Sequence, residues 1–171
     1  MAAHLEMTKS PAISLRSVTD GDREFLLGVH AASREIELAA VPWDDALKRS
    51  FVEHQFDAQL LHYKKEYAGV THDVVNCDNE PAGRLFISRG DKNEIAILDI
   101  TILPRFRKRG IATKIIEDLK NEAAASNRSL RIFVEVYNPS QGLFRNLGFQ
   151  EADNDGVNIR FRWSGPASPI K

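Results

Sequence analysis

Three adjoining patterns between Ile95 and Tyr137 constrain this chain more than anything else in it. An apolar run from Ile95 to Leu103 is stopped by Pro104, which cannot donate to a strand ladder. From Ile111 the apolar residues recur every four positions, at Ile115, Leu119 and Ala123, with Ile116 beside them. That spacing predicts an amphipathic helix to about Ala125. Leu130 to Tyr137 is a second near-continuous apolar strand. Strand, helix and strand in this order predict a parallel, right-handed crossover, and strands this apolar have both faces covered. Asp99 is the one charge inside the first run, and Glu135 stands inside the second.

The turn between the first strand and the helix carries Arg105, Arg107, Lys108 and Arg109, then Gly110. A helix start presents unpaired backbone N–H groups and the positive end of its dipole. A glycine lets a ligand approach the backbone, and neighbouring cations favour phosphate. The stretch therefore reads as an anion site at a helix N-terminus. It contains neither the G-x-x-x-x-G-K-[ST] phosphate loop nor the G-x-G-x-x-G dinucleotide turn.

Arg107-x-x-Gly110-x-Ala112 resembles the [Q/R]-x-x-G-x-[G/A] acyl-CoA signature of the GCN5-related N-acetyltransferase (GNAT) family. It stands in the family's setting, after an apolar strand ending in Leu-Pro and at the start of an amphipathic helix. A second element, Asn138-Pro139…Leu143-Phe144-Arg145…Leu147-Gly148-Phe149, is similar to the family's N-x…L-Y-x-x-x-G-F. The resemblance covers about residues 12–164. It implies the acyl-CoA N-acyltransferase fold: a mixed sheet of about seven strands, splayed between the fourth and fifth, with about four flanking helices. It also implies acetyl-CoA as co-substrate. Ile100, Thr101 and Ile102 would contact the pantetheine arm through their backbone. Arg107, Lys108, Arg109, Gly110, Ile111, Ala112 and Thr113 would hold the pyrophosphate. Asn138 and Phe144 would lie against the pantetheine, and Arg145 would reach the phosphates. Many members carry tyrosine where this chain has Phe144, and there the hydroxyl protonates the leaving thiolate. Phenylalanine has no proton to give.

The chain of 171 residues is long enough for a real core, at a length typical of one domain. Its net charge of -1 sets 23 Lys and Arg against 24 Asp and Glu, which argues against a nucleic-acid or membrane-surface binder. The basic cluster at 105–109 is thus local and suits a small anion. One cysteine, Cys77, excludes an intramolecular disulfide and reads as a buried strand residue. No stretch approaches a membrane span, no apolar signal core opens the chain, and no His/Cys/Asp/Glu cluster has metal-ligand spacing. A cytoplasmic, metal-free protein is expected, with flexible tails at 1–11 and 165–171 around one domain at 12–164.

Ahead of the signature, Ile13–Val18 reads as a strand and Phe25, Val29, Ala32 and Ile36 as one face of a helix reaching about Leu38. A longer helix, Asp44 to Tyr67, carries two apolar stripes, Leu47/Phe51/Ala58/Leu61 and Val52/Phe56/Leu60/Tyr63/Tyr67. It packs on the sheet and a neighbouring helix, or with Trp43 lines an acceptor pocket or a homodimer contact. Short turns at 78–81 and 90–93 join three strands into an antiparallel meander. After the crossover, Asn154-Asp155-Gly156 forms a hairpin turn before an alternating last strand, Val157 to Trp163.

Amine acylation needs a proton acceptor, because an alkylammonium holds its proton to a pKa of about 10. Glu135, Asp99 and Glu94 are the candidates. Glu135 and Asp99 interrupt apolar strands near the splay, where burial would suit them to base work, and Glu135 ranks first by its L-E-V-like context in the family. The expected activity is acetyl transfer from acetyl-CoA to a primary amine by direct attack. The acceptor is expected to be a small molecule, with an acyl-CoA sensor and a protein N-terminal acetyltransferase as alternatives.

Overall fold

The computed structural model describes residues 9–166. The expected tails fall largely on 1–8 and 167–171, which lie outside the described residues. All seven strands form one sheet in the order β1-β2-β3-β4-β5-β7-β6. The strands are β1 Ile13–Ser17, β2 Val70–Cys77, β3 Glu80–Ser88, β4 Glu94–Ile102, β5 Ser129–Glu135, β6 Gln150–Asn154 and β7 Asn158–Trp163. Five α-helices are interleaved: α1 Arg23–Ser33, α2 Glu35–Ala40, α3 Asp45–Glu66, α4 Ile111–Ala125 and α5 Gln141–Asn146. β4 and β5 are parallel, while every other neighbouring pair is antiparallel.

Two layers cover the sheet. On one side α4 buries Ile111, Ile115, Ile116, Leu119 and Ala123 against Ile95, Ile97, Leu130, Ile132 and Val134 of the central strands. α1 and α3 meet through Leu26, Leu27, Val52 and Phe56 on the other side. The crossover and the meander stand where the spacing places them.

The first half departs from its periodicity. One helix to Leu38 was the expectation, but the chain breaks at Arg34 and α2 restarts, burying no residue. Leu26, Leu27, Val29 and His30 face inward, and Ile36 is 86 % exposed. The expected stripe fails because His30, an inward polar residue, is invisible to an apolar count. On α3 only the Val52/Phe56 stripe is buried. Leu47, Ala58 and Leu61 are exposed, and Phe51 packs edge-on against Trp43. α1 and Leu38 of α2 pack on the Val52/Phe56 side, so the Leu47/Phe51/Ala58/Leu61 stripe lies largely outside the core.

The parallel ladder is short. It pairs Glu94–Ile97 with Ser129–Ile132 and stops. Beyond it β4 follows β3, and β5 follows β7 as far as Glu135↔Asn158. Leu98 is the extra residue of a bulge, since Ile97 pairs with Ile87 and Asp99 with Phe86. The bulge re-phases the strand, so Ile100 joins Ile95, Ile97 and Ile102 against the α4 layer while Asp99 and Thr101 turn toward α3.

Gly83 keeps β3 and β4 together beside this splay. A Cβ there would stand 2.2 Å from the Thr101 carbonyl oxygen and 3.1 Å from Ile102 Cα, both backbone atoms. Gly83→Ala is therefore expected to cost about 3 kcal/mol in urea unfolding. An unchanged midpoint would show that the strands separate freely here.

Candidate active site

The splay leaves backbone groups of β4 without a strand partner. Leu103 N–H donates to Ala82 C=O at 2.8 Å, so the Ile102 carbonyl of the same peptide points the opposite way, into the gap. Arg107 Nε donates to that carbonyl at 3.0 Å. Ladder alternation then turns the backbone groups of Ile100 and Ile102 into the gap and those of Thr101 onto Arg84 of β3. Thr101 thus does not offer the backbone contact expected of it. Its hydroxyl donates to Asp99 Oδ1 at 2.7 Å instead.

At the end of β4 the loop is anchored by Phe106, which is 3 % exposed and lies under the guanidiniums of Arg105 and Arg109 at 4.4 and 5.3 Å. Arg105 pairs with Glu80 at 2.5 Å. Arg107, Lys108 and Arg109 have no carboxylate partner among the described residues. Lys108 and Gly110 both adopt left-handed backbone, with φ of 61° and 76°. Gly110 is the N-cap of α4, and a Cβ on it would meet open space. The first intrahelical bond runs from Lys114 N–H to Gly110 C=O. The N–H groups of Ile111, Ala112 and Thr113 are thus the orphan donors of the helix start, beside three unpaired cations.

Three expected residues sit differently. Phe144 is 2 % exposed and packs in the core, edge-on to Phe149 and stacked on Phe161. Arg145 lies over Phe161 and is engaged by Gln141 at 3.1 Å and Glu151 at 3.4 Å. Asn138 uses its side-chain oxygen on Ser140 N–H, within the turn that follows β5. Glu135 is not buried as its apolar strand suggested. Its side chain is 56 % exposed at the open end of β5 and meets Arg34 at 3.4 Å. Glu94, at the far end of β4, is held by Arg131 at 2.6 Å.

The face toward α1 and α3 holds a buried polar network that sequence reading missed. Arg84, 1 % exposed, donates to Asp99 at 2.8 Å and to His30 Nδ1 at 3.2 Å. Gln59 Nε2 reaches Asp99 at 3.4 Å. Tyr63 donates its hydroxyl to the carbonyl of the bulged Leu98 at 3.0 Å, and burial holds its phenol well above the ordinary value. With this donor set on its carboxylate, Asp99 braces the strand at its bulge. The signal was available: Arg84 and Phe86 share a face of β3, so that face had to be covered.

A sequence profile of the Acetyltransferase (GNAT) family matches residues 35–149. The chain belongs to this family. As a GNAT member it is an acyltransferase. The PaiA N-acetyltransferase of Thermoplasma acidophilum, solved with coenzyme A, is 14 % identical with a TM-score of 0.66, over 90 % of this chain and 99 % of that one. An acetyltransferase of Thermus thermophilus is 18 % identical with a TM-score of 0.65, over 89 % and 96 %. Naa50 of Arabidopsis thaliana, in complex with the bisubstrate analogue CoA-Ac-MVNAL, is 13 % identical with a TM-score of 0.58, over 89 % and 98 %. At these identities the likeness is one of fold. No curated protein matches the chain. Two surface hollows, of about 290 and 390 Å³, lie along α3 and take no residue from β4, β5 or the GNAT signature loop.

Two measurements check the network. Arg84→Met strands the Asp99 charge and is expected to cost about 3–5 kcal/mol, most of it recovered when Asp99→Leu is added. A double variant no more stable than the single one contradicts the pairing. His72, stacked on Phe86 at 3.6 Å, is pushed down to about 4, first by burial and then by Arg84. Between pH 4 and about 6.5 the unfolded chain binds a proton that the folded one refuses, so stability rises with pH across that window. His30 is lowered in the same direction, again by burial first. Wild type is expected to be about 1 kcal/mol less stable at pH 5 than at pH 7, allowing for solvent screening, and His72→Phe less so. Equal pH dependence in both proteins clears His72.

Proposed function

We propose that this protein is an N-acetyltransferase that moves an acetyl group from acetyl-CoA to a primary amine on a small molecule. The observation that carries the reading is the gap between β4 and β5, with the backbone of Ile100 and Ile102 facing into it next to the Gly110-capped start of α4. An extended, amide-bearing arm fits such a gap because it pairs with strand backbone, and its diphosphate fits the orphan donors and cations of Arg107–Thr113. Acetyl-CoA supplies the acyl group as a thioester.

The chain's own groups account for the rest. A backbone N–H in the gap polarises the thioester carbonyl and stabilises the charge that develops on its oxygen. The ammonium gives one proton to Glu135 directly or through one water, the free amine nitrogen bonds to the acyl carbon, the carbon–sulfur bond breaks, and the nitrogen's second proton leaves to solvent. Glu135 suits this role by position, at the end of β5 where the gap opens to solvent. Asp99 serves as a positioning residue, since Arg84 already occupies its carboxylate. No hydroxyl comes from α5, because none of its residues Gln141–Asn146 carries one, so the departing sulfur takes its proton from solvent.

Calorimetry and thiol release test these assignments separately. Gly110→Asp puts a carboxylate and a strained φ at the anion site, and CoA affinity is expected to fall at least a hundredfold. Retained affinity refutes the site. Glu135→Gln is expected to lower kcat about a hundredfold with CoA affinity unchanged. An unchanged kcat and pH–rate profile removes Glu135 from the base role.

A further inference from the structure

The end of β5 gathers groups that the acyl-donor site does not use. Phe133 and Glu135 are two residues apart on one face of the strand. Phe133 is 48 % exposed. Tyr137 follows in a turn closed by Asn138 N–H on Glu135 C=O and is 96 % exposed. Phe133 also carries the Arg131 guanidinium 5.0 Å from its ring, and the aromatic surface left in water here marks a place where an apolar group docks.

Arg34 stands against this row from the junction of α1 and α2. It reaches Glu135 at 3.4 Å and Glu37 at 3.0 Å, both through Nη1. Its Nε is buried and has no partner, and Nη2 makes no hydrogen bond among the described residues. Nε and Nη2 form one edge of the guanidinium, the edge that receives a carboxylate in a two-point contact. The pair with Glu135 is half-exposed and weak. A buried N–H without a partner is unfavourable. Arg34 already meets two carboxylates, Glu37 and Glu135, through Nη1, and its Nε–Nη2 edge is left for a third.

We propose that the acceptor is a free α-amino acid with an apolar side chain. Arg34 takes the carboxylate on its Nε–Nη2 edge, Glu135 takes the ammonium, and Phe133 and Tyr137 receive the side chain. The assignment rests on the transferase reading and narrows its acceptor. The two charges of an α-amino acid are separated by two bonds, and the two charges that would receive them are 3.4 Å apart. A polyamine sets a second ammonium against Arg34. A peptide N-terminus lacks the adjacent carboxylate. An amino sugar offers little apolar surface to the two rings. In the transfer, the ammonium first gives one proton to Glu135; the free amine then bonds to the acyl carbon as the carbon–sulfur bond breaks, its second proton leaves to solvent and the thiolate takes one from solvent, giving the N-acetyl amino acid and the free thiol.

The test compares L-phenylalanine with phenethylamine, which lacks only the carboxylate, and with a phenylalanine-led tripeptide. Rates are read by thiol release, and binding to the CoA-loaded protein is read by calorimetry. Phenylalanine is expected to surpass phenethylamine and the tripeptide at least tenfold in kcat/KM. Arg34→Gln is expected to raise the KM for phenylalanine about ten- to hundredfold, to change the KM for phenethylamine at least tenfold less than that, and to leave CoA affinity unchanged. A wild type that prefers phenethylamine or the tripeptide overturns the proposal, as does a preference for phenylalanine that survives Arg34→Gln. If CoA binds and phenylalanine does not, the acceptor assignment fails alone. If phenylalanine binds in an Arg34-dependent way and no amine is acetylated, the transferase reading fails and the binding site stands.

Discussion

Everything in this protein depends on the place where β4 stops pairing with β5. Parallel strands normally run buried, with every backbone group paired. Here the pairing ends after Ile97 and Ile132, because β4 is drawn along β3 and β5 along β7. The backbone of Ile100 and Ile102, without a strand partner on the gap side, is useful toward a ligand that carries its own amides, and Arg107 holds the Ile102 carbonyl in the free protein. The bulge at Leu98 lets both demands hold at once. It keeps Ile100 and Ile102 in the apolar layer under α4 while turning Asp99 and Thr101 to the other face, and the Tyr63 hydroxyl satisfies the displaced carbonyl.

The two faces of the splay divide the chemistry. The signature loop gathers Arg107, Lys108 and Arg109, which have no carboxylate partner among the described residues, next to a helix start whose first N–H donors are free. The end of β5 holds Arg34 between Glu135 and Glu37, with Phe133 and Tyr137 exposed two residues either side of Glu135 in the chain. An anion suits the first and a zwitterion or amine the second. The net charge of -1 says nothing of this division, since the separation is local.

Legibility in the sequence followed the range of the interactions. The loop, the glycine at φ 76° and the crossover are local in the chain, and their residue types announce them. The meander was readable for the same reason, from turn residues and alternation. The splay itself came from family resemblance, because no residue spacing states where a ladder ends. The Arg84–Asp99–His30 network was missed, since it joins α1, β3 and β4 across up to 69 residues of chain. Burial of Glu135 was misjudged because an apolar strand does not show that one of its faces loses its covering helix. Phe144 was read as a site residue from its motif, whereas its contacts with Phe149 and Phe161 make it core.

The most direct test of the account is an amide NMR titration with CoA. The account predicts chemical-shift changes at Ile100, Ile102 and Arg109–Thr113, with the amides of β1 and the outer face of α3 unmoved. Changes concentrated along α3, or none at Ile100 and Ile102 at saturating CoA, would contradict the claim that the opened strand is where the acyl donor lies.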